Sequence, residues 1–261
     1  MKVLIGDTVF PFLKDILTPL LPEDDIRRCA KENLLSEVPW AEVLIPTMAQ
    51  VTPDIFEAAS GLRFIQQHGV GLEGVDIAAA TARGIPVCNI PGHQEPANAK
   101  STAEGAAFLM MACAKRLNLA RKSLVQGPWG SPLGRALFDQ TALIVGLGQV
   151  GQALARILVC LGMTVMATKG RPQPELARQL GLEQLSGPDG LKEMLPKADF
   201  LVSTLVVTEK TKGMFNRSLF ELMKPSAYFI NVSRGGVVNE ADLVEALDKG
   251  LLAGAGLDVW A

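Results

Sequence analysis

The chain has 261 residues, 48% of them hydrophobic and 20% charged, with a formal net charge of −2. That size and apolar content suit one large or two ordinary domains with substantial cores and exclude a disordered chain. The weak charge gives no electrostatic drive toward nucleic acid or an anionic membrane, and the longest clearly apolar run, residues 106–114, is too short to cross a bilayer.

Strand-like and helix-like runs alternate through residues 1–97. The segments 3–5, 43–45, 62–65 and 86–89 are short and apolar, as buried strands are. Between them 10–20, 53–59 and 76–83 carry helical patterns, the last closed by Gly84. Such alternation predicts a parallel sheet covered on both faces. The run begins directly with KVLIG and has no basic-then-apolar leader, so the expected location is cytoplasmic. His68-Gly69-Val70-Gly71 follows the strand ending at Ile65, at the carboxyl edge where α/β sheets bind ligands. Two glycines there can present backbone N–H groups to an anion; an ordinary glycine turn is the competing reading.

Residues 91–96, PGHQEP, hold two prolines, a glycine and no apolar side chain, and are the linker candidate. The expected domains are therefore 1–96 and 97–261. A long helix-like run over 97–126 comes next, ended by Gly127 and Pro128. A second α/β series follows, with strands expected at 141–145, 164–167, 199–205, 227–232 and 253–259.

The first of these strands leads into Gly146-Leu147-Gly148-Gln149-Val150-Gly151. From Val150 the apolar residues fall at 150, 153, 154, 157, 158 and 161, the stripe of a half-buried helix. A G-x-G-x-x-G between strand and amphipathic helix is the context of a dinucleotide fingerprint. Gly146 permits the tight turn, Gly148 removes a Cβ that would block a pyrophosphate, and Gly151 lets helix and strand pack closely. The helix N-terminus would then face the phosphates.

The next strand runs into Thr168-Lys169-Gly170-Arg171, where a dinucleotide domain normally offers a carboxylate to the ribose 2′-hydroxyl. Two cations in its place attract a 2′-phosphate, so NADP rather than NAD is the expected cofactor. The strand at 227–232 ends in Ser233-Arg234-Gly235-Gly236, whose Arg234 has a donor fork suited to a carboxylate. Asn239 is placed to cap the helix through Leu247, and Gly250 to end it. Asp258 lies near the end of the last strand, able to accept from a carboxamide or merely to cap. Cys29, Cys88, Cys113 and Cys160 show no C-x-x-C spacing and read as buried free thiols of a reducing compartment, with no metal site.

Together the blocks HGVGLEGVDIAAATARGIPVCNIPG (68–92), ANAKSTAE (97–104), GLGQVG (146–151), FINVSRGGVVNEADLVEAL (229–247) and AGAGLDVW (253–260) resemble the D-isomer-specific 2-hydroxyacid dehydrogenases. That resemblance implies a flavodoxin-like substrate domain and a Rossmann dinucleotide-binding domain, both doubly wound parallel α/β sheets, usually in a homodimer. It implies hydride transfer between a nicotinamide and a small 2-oxo or D-2-hydroxy acid such as glyoxylate, hydroxypyruvate or phosphoglycerate. Val70 and Gly71 would give N–H groups to the substrate carboxylate, and Arg234 would pair with it and polarise the carbonyl. The cofactor set would be Gly146, Gly148, Gln149, Val150, Gly151, Thr168, Lys169, Arg171, Val207, Ser233 and Asp258.

Three departures stand out. His93–Pro96 lengthen the segment before ANAKSTAE, and Val206 replaces the usual Pro of the cofactor-edge loop. Family members also continue past LDVW to a catalytic Glu and His, whereas these residues stop at Ala261; the expectation is a truncated form of a complete dehydrogenase. His68 is read as a packing or substrate-contact residue rather than the acid, and His93 has still less claim to that role. The alternatives are a nucleotide-binding regulatory or scaffolding protein without turnover, or an NAD(P)-dependent phosphite-type dehydrogenase.

Overall fold

Eleven strands, most of them short apolar runs, form among the described residues of a computed structural model, which are all but 7–9, 91–95, 128–129 and 261. Residues 91–95 of the linker candidate 91–96, His93 among them, and Pro128 lie outside the described residues, while Pro96 opens a helix. The chain divides into two units, Met1–Glu95 and Pro96–Ala261.

In the first unit the strands are β1 (Lys2–Ile5), β2 (Asp25–Arg28), β3 (Val43–Ile45), β4 (Phe64–Gln66) and β5 (Val87–Cys88). They pair in parallel in the order β2-β1-β3-β4-β5, the flavodoxin-like arrangement. Side chains alternate between faces. Leu4, Leu44 and Ile65 join one apolar cluster, while Val3, Ile5 and Ile45 join another with Leu13 and Ile26. Strand β2 was not anticipated: only Ile26 is buried in it, and Arg27 stacks over the Trp40 ring at 4.0 Å.

The second unit holds β6 (Thr141–Val145), β7 (Thr164–Thr168), β8 (Gln184–Ser186), β9 (Phe200–Ser203), β10 (Tyr228–Asn231) and β11 (Gly254–Leu257). All pair in parallel, in the order β11-β10-β9-β6-β7-β8. Counted from β6 this is the Rossmann order, with its switch point between β6 and β9. One face is covered by helices Pro96–Ala114 and Gln149–Cys160 through Ala103, Ala106, Met110, Leu154 and Leu158. The other is closed by Leu195, Phe215, Phe220 and Leu243. Gly256 permits the close seat of Pro96–Ala114, since a Cβ there would lie 3.0 Å from both Ile230 Cδ1 and Leu109 Cβ.

Two expectations require correction. The run 97–126 is two helices, Pro96–Ala114 and Leu117–Gln126, broken at Arg116 with φ 51°. Helical periodicity in the sequence does not register one left-handed residue. The cysteines are not uniformly buried: Cys29 is, Cys113 is half-buried, and Cys88 and Cys160 are exposed. An apolar sequence neighbourhood does not decide which way a single side chain faces. Burial pushes the Cys113 thiol up from its ordinary value.

Candidate functional site

Parallel pairing brings the ends of β6, β7, β9, β10 and β11 to a single edge of the second sheet. Leaving β6, the chain turns at Gly146, whose φ is 105°. Its N–H and that of Leu147 donate to the Thr168 carbonyl at 3.2 and 3.0 Å, tying the loop to the end of β7. Thr204, just past β9, fixes the same turn by donating its hydroxyl to the Gly146 carbonyl. Sequence reading missed Thr204, and no motif marks it.

Gly148 caps helix Gln149–Cys160, and a Cβ added to it would have nothing within 4 Å. Its N–H has no acceptor among the described residues, and the first N–H groups of a helix have none within it. Gln149 beside it is exposed and Val150 half-buried. A Cβ on Gly151 would run into the Gly146 carbonyl oxygen and approach Thr204 Oγ1 to 3.1 Å. The third glycine is thus a packing requirement and the second an open approach. An open, donor-rich cradle at a helix N-terminus fits a pyrophosphate.

Thr168, the last residue of β7, is buried, and Arg171 beyond it is exposed. Lys169 is half-buried, its Nζ donating to the Leu147 carbonyl at 2.9 Å, so this cation already braces the glycine loop. Val207 packs on the second-face cluster beside Gly236, whereas Val206 is 62% exposed at the edge.

A buried polar cluster occupies the ends of β9 and β10. Ser233 donates its hydroxyl to Asn231 Oδ1 at 2.8 Å and its N–H to the same oxygen at 3.1 Å. With that proton committed, Ser203 must be the donor in its 2.8 Å bond to Ser233 Oγ. Asn231 Nδ2 donates to the Arg234 carbonyl at 2.9 Å. Arg234 itself is exposed, with Nη1 on the Ser233 carbonyl at 2.7 Å. Asp258 is exposed, and its N–H continues the ladder to the Asn231 carbonyl at 2.9 Å. Ser203 and Asn231 were read only as strand residues. Asn239 caps the next helix, Glu240–Asp248, accepting from Asp242 N at 3.2 Å.

In the first unit Gly69 has φ 132°, and the N–H groups of Val70 and Gly71 find no acceptor among the described residues. The loop is held from behind: Gln67 accepts from His68 N at 2.9 Å and donates to the Thr47 carbonyl at 3.1 Å, and Asn89 donates to the Val70 carbonyl at 2.6 Å. His68 lies against the Phe10 ring, centroids 5.1 Å apart. Among the described residues there is no cluster of metal-ligating side chains and no helix long and apolar enough to cross a membrane.

Residues 107–261 match the family model described as D-isomer specific 2-hydroxyacid dehydrogenase, NAD binding domain. A D-3-phosphoglycerate dehydrogenase of Mycobacterium bovis is 37% identical over 234 residues, covering 88% of this chain and 43% of that protein. A glyoxylate reductase of Thermococcus onnurineus is 33% identical over 247 residues, covering 91% and 72%. A crystal structure of a protein from Thermus thermophilus superposes with a TM-score of 0.85 at 32% identity, covering 100% of this chain and 82% of that one. The chain spans about half the length of the phosphoglycerate dehydrogenases it matches.

Proposed function

The chain belongs to the D-isomer-specific 2-hydroxyacid dehydrogenase family, and from that premise we propose that it binds NADPH along the carboxyl edge of its second sheet and reduces a small 2-oxo acid to the D-2-hydroxy acid. The pyridine nucleotide rests on the family's NAD-binding domain and on the open cradle at Gly148. The preference for NADPH rests on one observation: the end of β7 offers Lys169 and exposed Arg171 where a carboxylate would repel a 2′-phosphate.

When bound, the nicotinamide supplies the hydride. The chain's own residues bind and orient the reactants; the proton that the resulting alkoxide takes up is assigned to none of them. The N–H groups of Gly148 and the first helical turn hold the pyrophosphate, and Arg171 meets the 2′-phosphate. Asp258 would accept a hydrogen bond from the carboxamide. Arg234 takes the substrate carboxylate in its donor fork and draws electron density from the neighbouring carbonyl. In the first unit the open N–H groups of Val70 and Gly71 are donors suited to a carboxylate. His68, packed on Phe10, serves packing or substrate contact. Helix Leu117–Gln126 buries none of its residues while exposing Leu124 and Val125, which supports a homodimer.

The test compares Arg234→Gln with wild type for 2-oxo acid reduction. Loss of one charge-assisted contact is expected to lower kcat/KM by about 10–150-fold. NADPH affinity should stay nearly unchanged. Equal loss of NADPH binding, or of folding, would give Arg234 a structural role instead.

A further inference from the structure

We propose that Asn231 is a positioning residue, holding the Arg234 turn in the one geometry from which its guanidinium can grip a carboxylate. What Arg234 grips rests on the proposed function; the geometry of the turn does not.

Asn231 ends a strand whose other three residues, Tyr228, Phe229 and Ile230, are apolar or aromatic and buried, and it is itself fully buried. A carboxamide in that place carries a desolvation cost unless it is well bonded. Here it is: Oδ1 takes both Ser233 donors, and Nδ2 reaches the Arg234 carbonyl at 2.9 Å. Ser203 on the neighbouring strand closes the cluster through Ser233. The amide thus reads the backbone of the two residues after Val232 and fixes both. An apolar side chain at 231 would leave the Ser233 N–H and the Arg234 carbonyl without these partners. The guanidinium also bonds to the Ser233 carbonyl, which ties it to the turn that Asn231 sets. Satisfied polar clusters in low dielectric are stiff, and stiffness matters because a small misplacement of a binding group costs rate steeply.

The discriminating variant is Asn231→Asp. It keeps an acceptor for Ser233 and the ladder carbonyl, but sets an oxygen against the Arg234 carbonyl where an N–H donor stood. In the full-length protein, KM for the 2-oxo acid should rise about tenfold, with NADPH affinity within about twofold. Unchanged KM, or equal losses for both ligands, would overturn the proposal. Ser203→Ala, which frees one side of the cluster, serves if the first variant does not fold; it should raise KM by about two- to threefold, and no rise would count against the proposal. Phenylglyoxal labelling of Arg234, followed by peptide mass analysis, needs no turnover. Labelling should speed up severalfold in the folded variant, and an unchanged rate overturns the positioning role. If wild type reduces no 2-oxo acid yet labelling responds, the functional reading falls and this one stands.

Discussion

Two cations follow β7, and the structure separates their work. Lys169 donates to the Leu147 carbonyl and supports the glycine loop, whereas Arg171 is exposed. Arg171→Ala should therefore lower NADPH affinity about tenfold with little effect on NADH, since one charge-assisted bond is worth about 1.5–3 kcal/mol. Lys169→Ala should weaken both cofactors, because it also frees the loop. Titration of both variants with each nucleotide checks this, and indifference to Arg171→Ala would end the NADPH preference. The candidate residues themselves were legible because glycines, an arginine and a basic turn stand out at strand ends. Thr204, Ser203 and Asn231 were not. Their hydroxyls and amide act on backbone atoms far away in sequence, and no spacing rule records a bond between residues 146 and 204.

At the scale of elements, apolar runs announced β1, β3, β6, β7, β9 and β10, all with buried interiors. Edge strands β2 and β8 were silent because they bury too little to pattern: Gln184–Ser186 is half-buried throughout. The strand-to-helix turn after β6 supports a sharp contrast between two glycines. Gly148→Ala meets no atom and has a negative φ of −82°, so it should fold normally while its methyl obstructs the dinucleotide. Gly151→Ala strikes the Gly146 carbonyl and should destabilise the second unit by about 1–3 kcal/mol. Denaturant unfolding and NADPH titration of the pair separate the two effects. Helices Arg217–Phe220 and Glu240–Asp248 are joined by one exposed ion pair, Arg217 with Glu245, flanked by the local pairs Arg217 with Glu221 and Glu245 with Lys249. The Lys249 hydrogen bond, then Arg217, hold the Glu245 carboxyl below its ordinary value. A lowered folded value means that stabilisation is complete above the unfolded carboxylate value of about 4.3 and vanishes as pH falls through the folded one. Glu245→Gln should thus differ from wild type above about pH 5 and converge with it in stronger acid. High salt should shrink the difference, since the group is exposed.

For the whole molecule the two sheets carry separate assignments, and each can be read without the other. Proton exchange at backbone amides reports local opening, and a ligand that binds the native state alone slows it in proportion to its occupancy. NADPH alone should slow exchange at residues 146–152 and 168–171, where the glycine loop and the end of β7 share hydrogen bonds through the Thr168 carbonyl. It should leave Val70 and Gly71 as they were, since their open N–H groups belong to the first unit. Adding an unreactive 2-oxo acid analogue should then protect the Ser233–Arg234 turn, where Arg234 is assigned the carboxylate. Saturating NADPH at about 100 times its Kd stabilises the native state by about 2.7 kcal/mol, enough to move the second unit's exchange well outside error. An unprotected 233–234 turn would break the Arg234 assignment while leaving the cofactor site intact. An unprotected glycine loop at saturating NADPH would remove the cofactor site, and with it the source of hydride on which the reductase reading depends.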